Sequence, residues 1–527
     1  SLTINAENER AIRAQATGDA ITIAAGTVQS PAGGLSIGAV DSTNTITSDV
    51  ISGVNLNDDV SLSLGGLVDV SSLDLSEIDV FALAVGISAS SGSSSLALSG
   101  GGSGAYNTIT SSVQANLKAQ NIRSNANDNG ATKATRLRAS TRTVKSDGTT
   151  TDRQRKINAT NAAASLAFSS ARGNAIGAGA TTIGAAVLSN TIRANSAGDT
   201  DAKFVDASIT TNTLNAEGSV DITADLGQEI DATSAAVSAA LAVAKREGVA
   251  IGLAGAGASA TNHLLGTSNA SINALDANSA ASGTVSAKAL NVTSTTNGTI
   301  DAGVGAGSLG VSYAGDSDSA PISLAGTIGV SLARNAISGD SSAAIEGFGA
   351  VNTTGGDLSL ASTQNRTIDS TSAAVSISAA IGAKFSVGVS GGGADSRNVI
   401  QGDTTSDLKT SSSDVQGAIA LNSNDNSTIS TLVQSIAASG SGGSGSGAGA
   451  VSIGASLARN ELGTNDDSNE IRALIQGLSS NDNTTGITSL STTGDASVTA
   501  ISTQTINAKV GALAAAIAIA PKGSALA

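Results

Sequence analysis

The chain contains no cysteine, methionine or tryptophan, only one histidine and three prolines, and aromatic residues make up 1% of its 527 positions. Without cysteine, disulfides, thiol chemistry and zinc–thiolate sites are excluded. Large side chains normally dominate the free energy of burial. Any core must therefore be thin and built from alanine, glycine, serine, valine, isoleucine and leucine, which argues against helical bundles and favours flat sheets that pack closely.

The charge and the apolar runs limit the classes of partner. A net charge of −15 makes nucleic acid an unfavourable ligand. The apolar run at 510–520, VGALAAAIAIA, is too short for a transmembrane helix and is followed by Pro521 and Lys522. We expect no transmembrane segment. Because the chain begins SLTINAENER, without an initiator methionine or a signal peptide, we expect it to be an internal piece of a longer protein.

A repeated motif organises the whole chain. IGVSLARNAI at 328–337 returns as IGASLARNEL at 453–462, and a triplet of Asn-x-(Ile/Leu) recurs with it. An isoleucine opens each unit, and the distance from this residue to the asparagine stays between 29 and 35 residues. The anchor asparagines are Asn44, Asn107, Asn190, Asn262, Asn335, Asn398 and Asn460. The opening isoleucines are Ile12, Ile78, Ile157, Ile230, Ile300, Ile368, Ile429 and Ile506.

These anchors divide one continuous domain, residues 1–527, into seven repeats of about 70 residues and a partial eighth. The repeats are 12–77, 78–156, 157–229, 230–299, 300–367, 368–428, 429–505 and the partial 506–527. Apolar and small polar residues alternate with the period of a β-strand, and helix signals are weak. Short strands at a fixed period predict an all-β fold, a right-handed parallel β-solenoid with a core of small residues. One coil for each repeat is the favoured arrangement, and two coils remain open.

The repeat resembles a known family. AGAGASATNHL at 254–264, GAGAVSIGASLARNEL at 447–462 and GDLSLAS at 356–362 are similar to the tandem repeats of giant bacterial cell-surface β-solenoid proteins, the leukotoxin-like filamentous adhesins. The resemblance covers essentially the whole chain. It implies a secreted, surface-attached and fibre-like protein, and it supplies no catalytic residues.

The anchor asparagines are the sharpest candidate feature. In stacked coils, Asn44 through Asn460 would lie above one another, and each side-chain amide could donate to the carbonyl of the next. The alternative is that each asparagine occupies a left-handed turn position, which asparagine tolerates. We expect the ladder. Both interpretations are structural.

An acidic column follows the opening isoleucines. The next residue is an aspartate in four repeats, at Asp79, Asp231, Asp301 and Asp369. Stacked carboxylates could bind Ca²⁺, which takes oxygen ligands. A solvated edge is the simpler interpretation, since the calcium repeat G-G-x-G-x-D is absent. We therefore expect no cofactor, and calcium is the one metal hypothesis that stays open.

The basic insertion at 118–156 carries ten Lys and Arg against three Asp, a net charge of +7, which leaves −22 for the rest of the chain (−15 minus 7). The alternation of residue types within this segment is typical of a hairpin at the sheet edge or of a lateral extension. One interpretation is a patch that docks onto an acidic face of a neighbouring fibre or onto anionic polysaccharide. The other is a solvated loop that protects an edge. The candidate patch residues are Lys133, Arg136, Arg138, Arg142 and Lys145.

Enzymatic functions fit poorly. A Ser-His-Asp site would need His263, which follows an anchor asparagine where other repeats have Thr, Ala, Val or Glu, so we interpret it as an outward turn residue. Polysaccharide-degrading β-helix enzymes usually carry aromatic clefts, which this composition does not favour.

We therefore expect a structural segment of a giant extracellular bacterial surface fibre or adhesin that is not an enzyme. Its expected partners are other copies, through end-to-end or lateral contacts, and surface polysaccharide or neighbouring cells. The first alternative is a glycan- or surface-binding adhesin module. An ice-binding solenoid and a polysaccharide-degrading enzyme are less favoured.

Overall fold

The computed structural model describes residues 1–128, 134–144, 150–172, 177–194, 204–245, 248–275, 283–315, 321–445, 447–463, 469–480, 483–484 and 487–527. These residues form two large sheets, of 14 and 18 strands, and a small pair, Ser479–Ser480 with Asn483–Thr484. The described part of the chain contains no helix. It thus has no helix that could cross a membrane. The fold is all-β and parallel, as the repeat pattern predicts.

The 14-stranded sheet, sheet A, contains the opening isoleucines. Its strands are Leu2–Asn8, Ala11–Ala25, Val68–Asp74, Glu77–Gly92, Thr135–Ser140, Arg142–Val144, Thr150–Ala171, Val220–Ala244, Leu290–Ala314, Leu358–Gly382, Ile419–Asp425, Thr428–Gly443, Ala496–Ser502 and Thr505–Ile519.

The 18-stranded sheet, sheet B, contains the anchor asparagines. Its strands are Ala32–Asn55, Leu62–Leu64, Ser95–Lys118, Asn121–Ser124, Gly177–Arg193, Val205–Thr210, Thr213–Ala216, Val249–Leu265, Ser268–Asn273, Thr284–Ala287, Ile322–Ser338, Ser341–Thr353, Phe385–Gln401, Thr404–Val415, Gly447–Leu462, Ile471–Gln476, Ser489–Thr492 and Ser524–Leu526.

Each repeat is one coil. Every opening isoleucine pairs in parallel register with the opening isoleucine of the next repeat, from Ile12 with Ile78 to Ile429 with Ile506. The anchor asparagines pair in the same way, from Asn44 with Asn107 to Asn398 with Asn460. The chain therefore forms a stack of parallel coils, as expected for a β-solenoid. The right-handed sense of the coil stays a prediction.

The strands are longer than the sequence predicts. The opening isoleucines lie inside strands and do not begin them: Ile300 is the eleventh residue of Leu290–Ala314, which has 25 residues. Polar residues such as Asn291 and Thr293 point outward from this strand. They do not mark a turn, because their backbone groups form hydrogen bonds with the coils on both sides. The prediction of short strands was wrong for this reason.

A wide core of large apolar residues fills one part of each coil. The opening isoleucines of sheet A belong to it, and so do the residues two positions after the anchor asparagines in sheet B, such as Ile109, Ile192 and Leu264. Phe204 and Phe348 are fully buried in the same cluster. Stacking these apolar residues in every coil supplies the main hydrophobic contribution to stability.

Beyond the asparagines, both sheets continue into a narrow two-layered part, which we call the blade. In the fifth coil it comprises residues 302–314 of sheet A and 322–334 of sheet B. Its inward positions are almost all alanine, serine or glycine. Serine hydroxyls bond across the layers, as in Ser312 Oγ with Ser323 Oγ at 2.7 Å. The small side chains let the two sheets approach closely, and hydrogen bonds of this kind connect the layers at several serine pairs.

Inward glycines mark the closest approach of the two sheets. Six residues before the anchor, an added Cβ would meet a backbone oxygen of sheet A, at 2.9 Å from Val375 O for Gly329 and 3.0 Å from Ile436 O for Gly392. At Gly101 the same Cβ would overlap the carbonyl oxygen of Ala164. The fourth coil has Ala256 at this position, so the requirement for glycine is local, and it is strictest where the added Cβ would overlap backbone, as at Gly101.

Two neighbouring glycines of one strand test this packing. We expect Gly101→Ala to lower the free energy of unfolding by about 1–3 kcal/mol, because its Cβ overlaps backbone that cannot move aside. Gly102→Ala is the matched control. Gly102 points outward with nothing within 4 Å of an added Cβ, so this change should be neutral or stabilising by about 0.5–1 kcal/mol. Urea unfolding followed by circular dichroism measures both, and equal losses would contradict the close approach.

Candidate functional site

The anchor asparagines form a continuous ladder of side-chain amides. Each Nδ2 donates to the Oδ1 of the next coil, at 2.9 Å between Asn44 and Asn107 and at 2.8 Å between Asn335 and Asn398. The other four bonds of the series are 2.8 Å each: Asn107 to Asn190, Asn190 to Asn262, Asn262 to Asn335 and Asn398 to Asn460. The seven side chains thus carry one hydrogen-bonded chain along the stack.

The ladder lies at the border between the wide core and the blade. Asn190, Asn262 and Asn398 are fully buried. None of the described residues other than glycine has a positive φ, so the left-handed turn interpretation is wrong for these asparagines. In the later coils the amide also donates to sheet A, from Asn335 to Ser370 Oγ at 3.1 Å and from Asn398 to Thr431 Oγ1 at 2.8 Å. The ladder therefore fixes both the coil register and the contact between the sheets.

Asn335→Leu tests the contribution of the ladder to stability. The change removes the acceptor of the Asn262 amide and the donor to Asn398 Oδ1, which leaves two buried polar groups without their partners. We expect the free energy of unfolding to fall by about 2 kcal/mol or more. Arg334→Leu, the same new residue at the exposed neighbouring position, is the control and should change stability little. Equal melting temperatures for the two variants would contradict a structural role of the amide.

The aspartates after the opening isoleucines also stack in register. Asp231, Asp301 and Asp369 occupy successive coils, whereas Asn158 separates Asp231 from Asp79 and donates to Asp79 at 3.2 Å. Partial burial raises the pKa of Asp301, and the carboxylates of Asp231 and Asp369 raise it further. The described residues contain no group of three or more acidic, histidine or cysteine side chains with the geometry of a metal site. Calcium at this column stays a hypothesis.

The raised pKa of Asp301 predicts a pH dependence. A carboxyl group whose pKa is higher in the folded state binds more protons folded than unfolded, so stability falls as the pH rises from its ordinary pKa through the folded one. We expect Asp301→Asn to raise the melting temperature at pH 7 and to change it little near pH 3, where the aspartate is protonated in both states. Thermal unfolding at the two pH values measures this. An equal gain in melting temperature at both pH values would exclude repulsion between Asp301 and the neighbouring aspartates as its cause.

The basic insertion is mostly part of the regular coil. Asn121–Ser124 and Thr135–Ser140 pair in parallel with strands of the coils on both sides. Only Arg142–Val144 departs from this pattern, because it pairs antiparallel with the strand that begins at Thr150. The expected edge hairpin is therefore present but small, and the strands Asn121–Ser124 and Thr135–Ser140 belong to the regular coil.

The arginines of the candidate patch contact acids of this chain. Arg136 binds Asp69 through both Nε and Nη2, at 3.1 and 2.8 Å, and Arg142 lies 3.4 Å from Asp225. Burial lowers the pKa of Arg138 in spite of the nearby Asp225. Lys133 and Lys145 lie outside the described residues. Much of the positive charge of the segment is thus balanced within the coil stack, which reduces what is left for an external partner.

Two further arginines are buried completely. Arg155 pairs with Asp74, lies 4.4 Å from the centre of the Phe204 ring and has no exposed side-chain surface. Arg366 pairs with Asp425 at 3.3 Å and is equally buried. Removing one partner of such a pair leaves an unpaired buried charge, which costs about 3–5 kcal/mol. Arg155 thus has a structural role that its position in the basic insertion did not indicate.

An exposed arginine column was missed at the sequence level. Arg334, Arg397 and Arg459 directly precede three successive anchors and stack in register. A shallow groove of about 320 Å³ runs beside Arg334 and Arg397, and His263 and Gln401 also line it. Glu461 pairs with Arg459 and lies 3.8 Å from Arg397. The sequence signal for this column is the arginine of the SLARN motif, which is Arg334 in one copy and Arg459 in the other.

His263 is an outward strand residue. It lies within Val249–Leu265 and not in a turn, so that part of the prediction was wrong. Partial burial lowers the pKa of the imidazole below its ordinary value, which keeps it neutral at pH 7.

Comparison with family models, with curated proteins and with solved structures finds no match to this chain. The functional argument therefore depends on the geometry of the coil stack and its surfaces.

Proposed function

We propose that this chain is a structural repeat segment of an extracellular bacterial surface fibre or adhesin. The observation that supports this most directly is the amide ladder, which runs without a break through seven coils. Each coil uses the same contacts toward the coil above and the coil below. A unit of this kind can be repeated many times to make a rod, since each coil needs only its neighbours.

The resemblance of the repeats to those of giant bacterial surface proteins supports a place outside the cell. The excess of acidic residues supports solubility of a long rod through mutual repulsion. For this role we propose other copies of the chain as the partners.

Immunogold electron microscopy on the source cells tests the proposal. With an antibody raised against this segment, we expect gold particles to follow thin fibres at the cell surface. An antibody against a cytoplasmic protein of the same cells is the control for permeability. Gold inside the cells, or antigen free in the medium with no labelled fibre, would contradict the role.

A glycan-binding adhesin module is the second candidate. The arginine column supports it, because Arg334 is exposed and stands beside the groove with Arg397. Guanidinium groups bind carboxylates and sulfates in two-pronged fashion. An acidic polysaccharide lying along the stack would meet one arginine every about 4.8 Å over three coils. This function is compatible with a structural rod that carries a binding strip.

A further inference from the structure

The outer face of the blade in sheet B is apolar. In each of the first seven coils, four outward positions stand 11, 9, 7 and 5 residues before the anchor asparagine. Across all seven coils these positions hold only glycine, alanine, valine, leucine and isoleucine, with the single exception of Thr181. No charged residue interrupts this face, which we call the B face. Apolar patches of this size usually mark an interaction surface.

Isoleucine and glycine alternate strictly from coil to coil on the B face. Seven residues before the anchor, the successive coils hold Ile37, Gly100, Ile183, Gly255, Ile328, Gly391 and Ile453. Two positions further on, the even coils again hold glycine and the odd coils hold alanine or valine: Ala39, Gly102, Ala185, Gly257, Val330, Gly393 and Ala455. These two columns thus repeat every two coils, or about 9.6 Å.

The isoleucines protrude from the B face. In the interior coils Ile183 is 62% exposed and Ile328 is 61% exposed, close to the 66% of Ile37 and Ile453 in the outer coils. Their exposure is therefore not an effect of the ends of the stack. At the two positions 7 and 5 residues before the anchor, coils with apolar side chains thus alternate with coils that have only glycine.

The packing of the chain does not require these outward glycines. An added Cβ would have nothing within 4 Å at Gly102, Gly257 and Gly393, and only ordinary contacts, at 3.8 to 4.0 Å, at Gly100, Gly255 and Gly391. None of the six has a positive φ. The inward glycines one position away, such as Gly101 and Gly392, are in contrast required by the backbone of sheet A.

Crowding between coils does not explain the alternation either. The opening isoleucines stack at the same spacing in all eight coils, so neighbouring isoleucines fit one coil apart. Glycine within a strand lowers stability relative to a residue with a side chain. Six such glycines without an internal reason point to a constraint from outside the chain.

We propose that the B face pairs with the B face of a second copy of this chain, with the isoleucine rows of each copy seated on the glycine rows of the other. This arrangement results from a two-fold axis that is parallel to the strands and passes between the third and the fourth coil. It places Ile183 of one copy opposite Gly255 of the other, and Ile328 opposite Gly100. The same operation exchanges the two copies, so one contact surface closes the dimer.

The period and the area favour a second copy over other occupants. The rows repeat every about 9.6 Å, and another parallel solenoid with the same two-coil period matches this spacing over its whole length. The pairing superposes six coils of each copy, and their four outward positions cover about 26 by 29 Å, or about 750 Å² per copy. Stable protein pairs bury about 800 Å² per partner. The pairing rests on the proposed structural role and specifies how two rods would associate laterally.

Sedimentation velocity of the purified chain over a range of concentrations tests the pairing. We expect dimers for the wild-type chain. Ile183→Ser with Ile328→Ser should raise the dimer dissociation constant by at least about tenfold, because two seated apolar side chains are lost. Gly255→Ile should weaken the dimer by a similar factor although it adds apolar surface. The new side chain would occupy the space in which Ile183 of the other copy is seated. Ile377→Ser, on the outer face of sheet A, is the control and should leave the dimer unchanged.

Thermal unfolding shows whether the variants fold. Gly255→Ile should melt at the same temperature as the wild-type chain or higher, so weaker pairing cannot be ascribed to misfolding. Stronger association of this variant would overturn the fit of rows and indicate a non-specific apolar surface. Loss of the dimer with Ile377→Ser would overturn the choice of face.

A wild-type chain that is folded and monomeric up to about 100 µM, far above the dissociation constants of ordinary dimers, would overturn the pairing alone. The fibre role is tested separately by its location on cells. Flotation of the monomer with phosphatidylcholine vesicles would assign the B face to lipid and also overturn the pairing.

Discussion

Hydrogen bonding in parallel register between successive coils determines where every recurring side chain of this protein lies. Each strand exchanges backbone hydrogen bonds with the coil above and the coil below, so a position in one repeat lies directly over the same position in the next. A residue type that recurs in the sequence becomes a column in space. The asparagine ladder, the isoleucine column of the core and the aspartate column all arise in this way.

The narrow blade follows from the choice of residues for the inward columns. Glycine, alanine and serine allow the two sheets to come so close that a single Cβ at Gly101 would overlap the opposite backbone. With little volume inside, the larger apolar side chains of this part point outward, which reverses the usual distribution of residues between core and surface. The exposed apolar faces are thus a consequence of the thin interior. The alternation of isoleucine and glycine on the B face is a separate feature, which internal packing does not require.

The sequence could predict the coil stack because its anchors are columns that every repeat shares. The opening isoleucines and the anchor asparagines keep a nearly constant separation, and this separation fixed the register of both sheets. Strand lengths were missed because outward polar residues resemble turn residues in a sequence. The partners of Arg136 and Arg142 could not be predicted, because Asp69 and Asp225 come from neighbouring coils, and the sequence does not show which residues of this variable half of the repeat lie above one another. The two copies of the SLARN motif lie 125 residues apart because they are two coils apart, which is also the period of the B face.

The distance between two labelled coils tests the coil stack most directly. The chain contains no cysteine, so Thr43→Cys with Arg459→Cys introduces the only two sites for spin labels, both exposed and both directly before an anchor asparagine. Pulsed electron paramagnetic resonance, with the labelled chain diluted in unlabelled chain, measures their separation. One coil for each repeat predicts six coil steps, or about 29 Å. A separation near 58 Å would mean two coils for each repeat, and would contradict the register on which this account depends.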